Sequence, residues 1–180
     1  RKNGWARSSA QIDGKGTPSL APHQDSRRRA LNEDGNVHVF FDVSNVQYGS
    51  QNVRLNGQIE KNMSVRVLFQ NLIKLIEGNH SIATRVAVGS HNTSPEWKYH
   101  WEIQGYEATS LKRDFNNKEK GVDEFIHDRI KNVLQGDRKG QTIVLVTGDG
   151  NSNSNRSNFP ELVKAALKKG WDVELWSWKA

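Results

Sequence analysis

The sequence predicts an α/β protein with a doubly wound parallel sheet. Five short strand-like runs, two of them with the apolar pattern of buried strands, alternate with four segments whose apolar residues recur at helical spacing. This alternation is typical of βαβ units, which place parallel strands side by side and cover both faces of the sheet with helices. The 180 residues are enough for one domain of ordinary size with a substantial core.

The first part of the predicted domain contains a strand, a polar connection and a helix. Residues 37–41 are apolar except for one histidine, and we expect the strand to end at Asp42, directly after them. A polar loop is expected over residues 45–62. Over residues 64–77, apolar side chains recur every three or four positions, which predicts an amphipathic helix terminated by Gly78.

The central part is predicted to contribute two strands with a helix between them. Residues 82–88 are mostly apolar and β-branched and are followed by a Gly-Ser pair, which predicts a strand. A helix is predicted over residues 94–104, because Pro95 suits the first helical position, where a missing backbone N–H is tolerated. Residues 106–111 form a short strand-like run.

The last part of the chain is predicted to alternate twice more between helix and strand. Asn158 and Glu161 have the spacing of a capping box, which predicts that a helix begins at Asn158. The predicted elements are a helix at 119–134, a strand at 142–146, a helix from Asn158 to Gly170 and a strand at 172–178.

The composition restricts the class of protein. Residues 1–36 are polar and lack periodicity, so we expect a flexible basic and polar lead-in followed by one domain over residues 37–180. The formal net charge is +6, which suits a polyanionic substrate, although simple solubility explains it equally well. The absence of cysteine excludes disulfides and cysteine nucleophiles. No apolar stretch approaches the ~18 residues of a membrane span, and we expect a cytoplasmic or nuclear protein without membrane partners.

Three aspartates occupy positions where such sheets carry chemistry. Asp42 and Asp149 follow the first and fourth predicted strands, and Asp123 lies at the start of the third predicted helix. The carboxyl ends of neighbouring parallel strands open onto one crevice, so we expect the three side chains to converge there. Clustered carboxylates repel one another and stay ionised most readily around a divalent cation. The pattern therefore predicts a Mg²⁺ site for phosphoryl chemistry, with these aspartates as catalytic residues and metal ligands.

Each aspartate also has a purely structural interpretation. Asp42 can cap a helix or form a turn with Ser44 and Asn45. Asp123 can simply favour the positive end of a helix, and Asp149 lies between two glycines, as in a tight turn. The occurrence of all three at one edge of the predicted sheet favours the metal site.

Other polar side chains are expected to support this site. Asn45 and Thr147 are suited to hydrogen-bonding a phosphate, or can be satisfied by local backbone groups. Glu124 can hold a second ion or accept a proton, although it points about 100° away from its neighbour Asp123 on a helix.

A phosphatase that forms an aspartyl-phosphate is disfavoured, because such an enzyme favours a second aspartate two positions after the first, where this chain has Ser44.

Several motifs together resemble the NYN domain of the PIN-like ribonuclease superfamily. They are FFDVSN, KEKGVDEFIHDRI, and TIVLVTGDGN followed by NFPELVKAALKKGWDVELWSW, and the resemblance covers residues 37–178. It implies a Rossmann-like, three-layer α/β/α fold with a five-stranded parallel sheet of order 3-2-1-4-5. It also implies an endoribonuclease that hydrolyses phosphodiester bonds in RNA with Mg²⁺ or Mn²⁺, and we expect single-stranded RNA to be the substrate.

The resemblance also assigns roles to residues. The family's acidic positions fall on Asp42, Asp123 and Asp149, and its companion amide falls on Asn45. One position departs from the pattern, because many members carry a carboxylate before the phenylalanine that opens the next helix, where this chain has Asn158. An amide carries no charge and binds Mg²⁺ more weakly. A catalytically weakened domain that acts as an RNA-binding module is therefore the alternative.

Basic side chains near the expected crevice are candidates for contacts with RNA phosphates. Such contacts add affinity without sequence preference, and solubilising surface charge is the competing explanation. These residues flank the third predicted strand and the acidic helix or lie in the Asn/Ser-rich loop: Lys112, Arg113, Lys118, Lys120 and Arg156. His127 has no partner at ligand spacing and is expected to be non-catalytic. The oligomeric state stays open, with a homodimer as one option.

Overall fold

The computed structural model describes seven stretches of the chain. They are residues 5–12, 18–22, 37–90, 95–111, 121–136, 140–147 and 159–178, the first two by their backbone. The strands are β1 (Trp5–Ile12), β2 (Pro18–Pro22), β3 (Val37–Asp42), β4 (Asn52–Leu55), β5 (Gln58–Lys61), β6 (Ile82–Ser90), β7 (Glu107–Leu111), β8 (Thr142–Val146) and β9 (Asp172–Trp178). The helices are α1 (Val43–Ser50), α2 (Phe69–Glu77), α3 (Pro95–Glu102), α4 (Val122–Gln135) and α5 (Phe159–Lys168).

Five parallel strands form the centre of the fold. They run in the order β7-β6-β3-β8-β9, which is 3-2-1-4-5 when the five predicted strands are numbered along the chain. The predicted α/β class with a five-stranded parallel sheet is confirmed. Strands on the two sides of β3 connect in opposite directions, so the sheet reverses its winding there, and the carboxyl ends of β3 and β8 border the crevice.

The complete sheet differs in detail from the prediction, because β1 and β2 extend it to seven strands. β1 pairs antiparallel with β9 and β2 pairs antiparallel with β1. Both strands lie within residues 1–36, so the expectation of a flexible lead-in does not hold for these two stretches. The physical reason is that the outer edge of β9 presents unpaired backbone N–H and C=O groups, which a neighbouring segment can satisfy whatever its side chains are. The domain boundary at residue 37 stays a prediction.

The sheet is covered on both faces, which gives three layers. Val39 and Phe41 point to one face and pack with residues of α1, α2 and α3. Phe40, between them, points to the other face and packs with Val122 and Ile126 of α4 and with residues of α5. This alternation follows from the two-residue period of a strand. No helix in the described ranges is long and apolar enough to cross a membrane.

Regular structure replaces the loop expected over residues 45–62. Asp42 caps α1 directly after β3, and the hairpin β4–β5 follows. The hairpin turn contains Asn56 at φ 51° and Gly57 at φ 84°, the left-handed pair that two-residue hairpins favour. The predicted loop was wrong, because this polar stretch contains Asn56-Gly57, a strong sequence signal for a hairpin.

Helix α2 begins five residues later than the apolar spacing predicts. The side chain of Gln47 explains the difference, because its Nε2 donates to the carbonyl of Val65 at 2.9 Å and its Oε1 accepts from the N–H of Val67 at 3.3 Å. These bonds hold residues 65–67 outside the helix and against α1. The helix then begins after Leu68 and runs from Phe69.

Candidate functional site

Asp42 lies at the carboxyl end of β3 and is 3% exposed. Its Oδ1 accepts the backbone N–H of Asn45 at 2.9 Å, and its Oδ2 accepts the side-chain Nδ2–H of the same residue at 2.8 Å. The structural interpretation of Asp42 as a helix cap is therefore confirmed. Asn45 orients both carboxylate oxygens through these two bonds. A carboxylate that accepts hydrogen bonds can still bind a cation, because each oxygen has more than one lone pair.

The side chain of Asp42 belongs to the face of the sheet that α4 covers. Asp42 follows Phe40 by two residues on an extended strand, so the two side chains share a face. Phe40 packs in the same cluster as Val122, the first residue of α4. The Asp42 side chain and the acidic first turn of α4 therefore lie on the same side of the sheet.

The sequence Gly-Val-Asp-Glu places Asp123 through three local features. Gly121 has φ 90°, a left-handed conformation that glycine adopts without strain, and a Cβ built there would lie 3.7 Å from Cδ1 of Leu111 at the end of β7. Val122 is buried in the core and anchors the first turn. Asp123 and Glu124 follow in that turn, where negative charge is favourable. Asp123 is half-buried and Glu124 is exposed.

Thr147 emerges beside Asp42. Phe41 pairs with Val146 on the neighbouring strand β8, so the residues that follow this pair leave the sheet together. The backbone N–H of Thr147 donates to the carbonyl of Trp176 at 2.9 Å, which fixes the chain just beyond β8. Asp149 follows two residues later.

A pair of serines at the same edge was not singled out by the sequence. Ser90 ends β6, next to β3, and its backbone N–H donates to Oγ of Ser44 at 2.6 Å. The Ser44 hydroxyl donates to Oγ of Ser90 at 3.2 Å, and both residues are 7% exposed. The bonds tie the first turn of α1, which Asp42 caps, to the end of β6. The Gly-Ser pair at residues 89–90 marks the end of this strand in the sequence. It does not indicate a bond to Ser44, because Ser44 and Ser90 are 46 residues apart.

The structure brings part of the predicted site to one edge of the sheet. Asp42 ends β3 and Asn45 lies in the first turn of α1, while Asp123 lies at the start of α4 and Thr147 directly follows β8. Within the described ranges, no group of three His, Asp or Glu side chains could hold a metal ion. The other predicted site residues lie outside the described residues: Asp149, Asn158, Lys112, Arg113, Lys118, Lys120 and Arg156.

A comparison with protein families assigns the chain. A family model of the NYN domain matches residues 36–180. The chain belongs to the NYN domain family. NYN domains are PIN-like nucleases, so the resemblance carried by the sequence motifs is confirmed. No curated protein and no solved structure matches the chain.

The donor atoms at this edge of the NYN domain suit a hard divalent cation. PIN-like nuclease domains typically use divalent metals. Asp42, Asp123, Asn45 and Thr147 offer oxygen atoms, the donors that Mg²⁺ and Mn²⁺ prefer. The deep burial of the Asp42 carboxylate adds to this fit, because an ionised group removed from water gains most from an opposite charge.

His127 lies one helical turn beyond Asp123 and joins α4 to the start of α5 in the NYN domain. It is 6% exposed, and its ring packs edge-on against Phe159 with 4.6 Å between centroids. Its Nε2 has no hydrogen-bond partner among the described residues. Burial lowers the pKa of His127 below its usual value, and Lys131 lowers it further, against smaller opposing effects of Asp128 and Glu124. The ring thus acts as a neutral packing element between the two helices.

Proposed function

We propose that this NYN domain hydrolyses phosphodiester bonds in single-stranded RNA with Mg²⁺ or Mn²⁺. The observation that carries the proposal is the Asp42 carboxylate, which is 3% exposed and has both oxygens oriented by Asn45. A buried, preoriented carboxylate at the crevice of a doubly wound sheet is suited to metal-assisted chemistry. Membership of a PIN-like nuclease family supports RNA as the substrate.

The proposed roles combine the described positions of Asp42, Asn45 and Asp123 with the position of Asp149 in the sequence, three residues after the end of β8. Asp42, Asp123 and Asp149 would hold the cation. When bound, a divalent cation activates water as a nucleophile and neutralises charge on the phosphate. Asn45 keeps the Asp42 carboxylate in one orientation through its two hydrogen bonds, so little reorganisation is needed when substrate arrives.

The remaining predicted residues would bind the RNA or support the cation site. The hydroxyl of Thr147 is suited to donate to a phosphate oxygen beside Asp42. Glu124 is exposed in the first turn of α4, where it could accept a proton or hold a second ion close to solvent. Asn158 would add an uncharged oxygen. The basic residues proposed to bind the RNA backbone are Lys112, Arg113, Lys118, Lys120 and Arg156.

The test replaces one proposed ligand by its uncharged isostere. In Asp149→Asn, we expect Mn²⁺-stimulated cleavage of an end-labelled single-stranded RNA to fall at least about a hundredfold. Asp172→Asn is the matched control, because Asp172 is an exposed aspartate at the amino end of β9. The control should cleave like the wild type, and both variants should keep the wild-type circular dichroism spectrum. Undiminished cleavage by Asp149→Asn would exclude the proposed mechanism.

The alternative function is RNA binding without turnover, and Asn158 is the observation that favours it. The same gel distinguishes the two functions, because a binding module retards the RNA without producing fragments when Mn²⁺ is added. RNA fragments that form with Mn²⁺ and do not form when EDTA is included support the nuclease.

A further inference from the structure

The exposed apolar side chains of the domain are concentrated in one part of the chain. Eight large hydrophobic side chains are exposed among the described residues, and six of them lie within residues 48–75. They are Tyr48, Leu55, Ile59, Met63, Leu68 and Leu75. Residues 48–75 comprise the end of α1, the hairpin β4–β5, the extended segment after it and most of α2, and we call their exposed part the 48–75 surface. Exposed apolar side chains that adjoin in space are typical of interaction sites, and Leu68 and Leu75 both line one groove.

A groove of about 390 Å³ lies within this surface, between α2, the segment before it and Trp178. Leu68, Leu72 and Leu75 line it at the spacing of one helical stripe. Leu72 is 4% exposed, whereas Leu68 is 71% exposed and Leu75 is 60% exposed. Leu72 packs in the core together with Ile73 and Ile76. Leu68 and Leu75 are thus the two large apolar side chains of the groove that the described residues leave exposed.

The 48–75 surface carries positive charge, and Arg66 lines the groove itself. Residues 48–75 contain four basic side chains and one acidic side chain, so they carry half of the chain's formal net charge of +6. The four cations are Arg54, Lys61, Arg66 and Lys74, and none forms an ion pair with a described residue. Elsewhere in the domain, by contrast, several cations pair with carboxylates, namely Arg85, Lys98, Arg129 and Lys164. Arg66 donates to the backbone carbonyls of Met63 and Val65, but no carboxylate among the described residues neutralises its charge or those of the other three cations.

The side chains favour a protein partner over RNA or a second copy of the chain. Single-stranded RNA binds by stacking bases on aromatic rings, and the side chains lining the groove are mostly aliphatic, with Trp178 alone contributing a ring. A second copy would bring two positively charged surfaces together, and like charges repel. In an acidic segment with aliphatic side chains, the aliphatic groups match the apolar groove and the carboxylates match the positive charge of the 48–75 surface.

We propose that the 48–75 surface binds an acidic, aliphatic segment of another protein. Aliphatic side chains of the partner fill the groove between Leu68 and Leu75, and its carboxylates pair with Arg66 and Lys74. None of the residues assigned to the nuclease site belongs to this surface, so the inference does not depend on the proposed function.

The test is a selection of peptides from a random display library on the immobilised full chain, followed by affinity measurements with synthetic copies of the selected peptides. We expect the selected peptides to be acidic and to carry at least two large aliphatic residues. In Leu68→Ser/Leu75→Ser, their affinity should fall at least about tenfold, and Arg66→Glu/Lys74→Glu should have an effect of similar size. Tyr99→Ser is the control, because Tyr99 is 62% exposed on α3 and does not line the groove.

Four outcomes would overturn the inference. The selected peptides could lack acidic and aliphatic residues, or bind the leucine variant as well as the wild type. The wild type could associate with itself in sedimentation experiments and lose this association in the leucine variant, which would assign the surface to a second copy. RNA could protect Leu68 and Leu75 in a footprinting experiment. The leucine variant should also cleave RNA like the wild type, which separates this test from that of the nuclease site.

Discussion

Replacing Asn45 by alanine tests how the fold prepares Asp42. The substitution removes the 2.8 Å bond from Asn45 Nδ2 to Asp42 Oδ2 and leaves the 2.9 Å backbone bond to Oδ1 intact. A hydrogen bond to a charged group contributes about 1.5–3 kcal/mol, and alanine recovers up to about 0.7 kcal/mol through its higher helix propensity. We therefore expect the free energy of unfolding to fall by about 1–2 kcal/mol, and cleavage to fall about 10–100-fold because Asp42 loses its fixed orientation.

Asn45→Asp is the sharper arm of the same experiment. It replaces the donor by a second carboxylate about 3 Å from Asp42, and at an effective dielectric constant of about 20 two such charges repel by about 4–6 kcal/mol. At pH 8 with EDTA, this variant should be less stable than Asn45→Ala. Mn²⁺ should restore more stability to Asn45→Asp than to the wild type, because binding to the folded state alone stabilises it.

Urea denaturation with and without Mn²⁺ measures these differences. Asn132→Ala is the matched control, because Asn132 is exposed on α4, and its free energy of unfolding should rise by no more than about 0.7 kcal/mol through helix propensity. The reasoning is refuted if Asn45→Asp is as stable as the wild type in EDTA, or if Mn²⁺ stabilises it no more than the control.

Two further substitutions test the supports of the site. The pKa of His127 is lowered in the folded state, so its contribution to stability is fully present above the unfolded pKa of about 6.5 and is lost as the pH falls through the folded value. His127→Phe should remove this part of the acid dependence when urea denaturation is repeated between pH 7.5 and 5, and parallel losses in both proteins would contradict it. Gly121→Ala should lower the free energy of unfolding by about 1–2 kcal/mol, because φ at this residue is 90°. Gly136→Ala is the control and should be neutral or slightly stabilising, because φ there is −62°. Equal effects of the two substitutions in thermal denaturation would exclude backbone strain as the cause.

The parallel core could be predicted because its residues carry the pattern of their environment. β3 and β8 are covered on both faces, so their sequences are continuous apolar runs. Helices α4 and α5 show one apolar stripe each, since they pack on a single face of the sheet. The order of the strands then limits where Asp42 can lie, and the sequence alone was sufficient to place it at the crevice.

Other features depend on contacts that local patterns do not encode. The alanine- and serine-rich strand β1 forms because β9 has an open edge, and nothing in its own sequence requires a strand. Helix α1 contains two valines and a glycine, which are weak helix formers, and its start depends on the cap from Asp42. The late start of α2 depends on Gln47, which is about twenty residues away.

The candidate site also combines contacts that the local sequence predicts with contacts that depend on the order of the strands. Asn45 is three residues from Asp42, so their association could be predicted from spacing alone, and the structure adds that both carboxylate oxygens are held. Ser90 joins the site only because β6 lies beside β3, which is a consequence of topology. Local sequence therefore predicts residues that act on their near neighbours, whereas residues brought together by strand order require the fold.

The central claim is that Asp42, Asp123 and Asp149 bind one divalent cation. The most direct test is an anomalous difference map from a crystal soaked in Mn²⁺. We predict a peak at the carboxyl end of β3, bonded to oxygen atoms of the three aspartates. A map in which these carboxylates are well ordered and no peak lies among them would contradict the account.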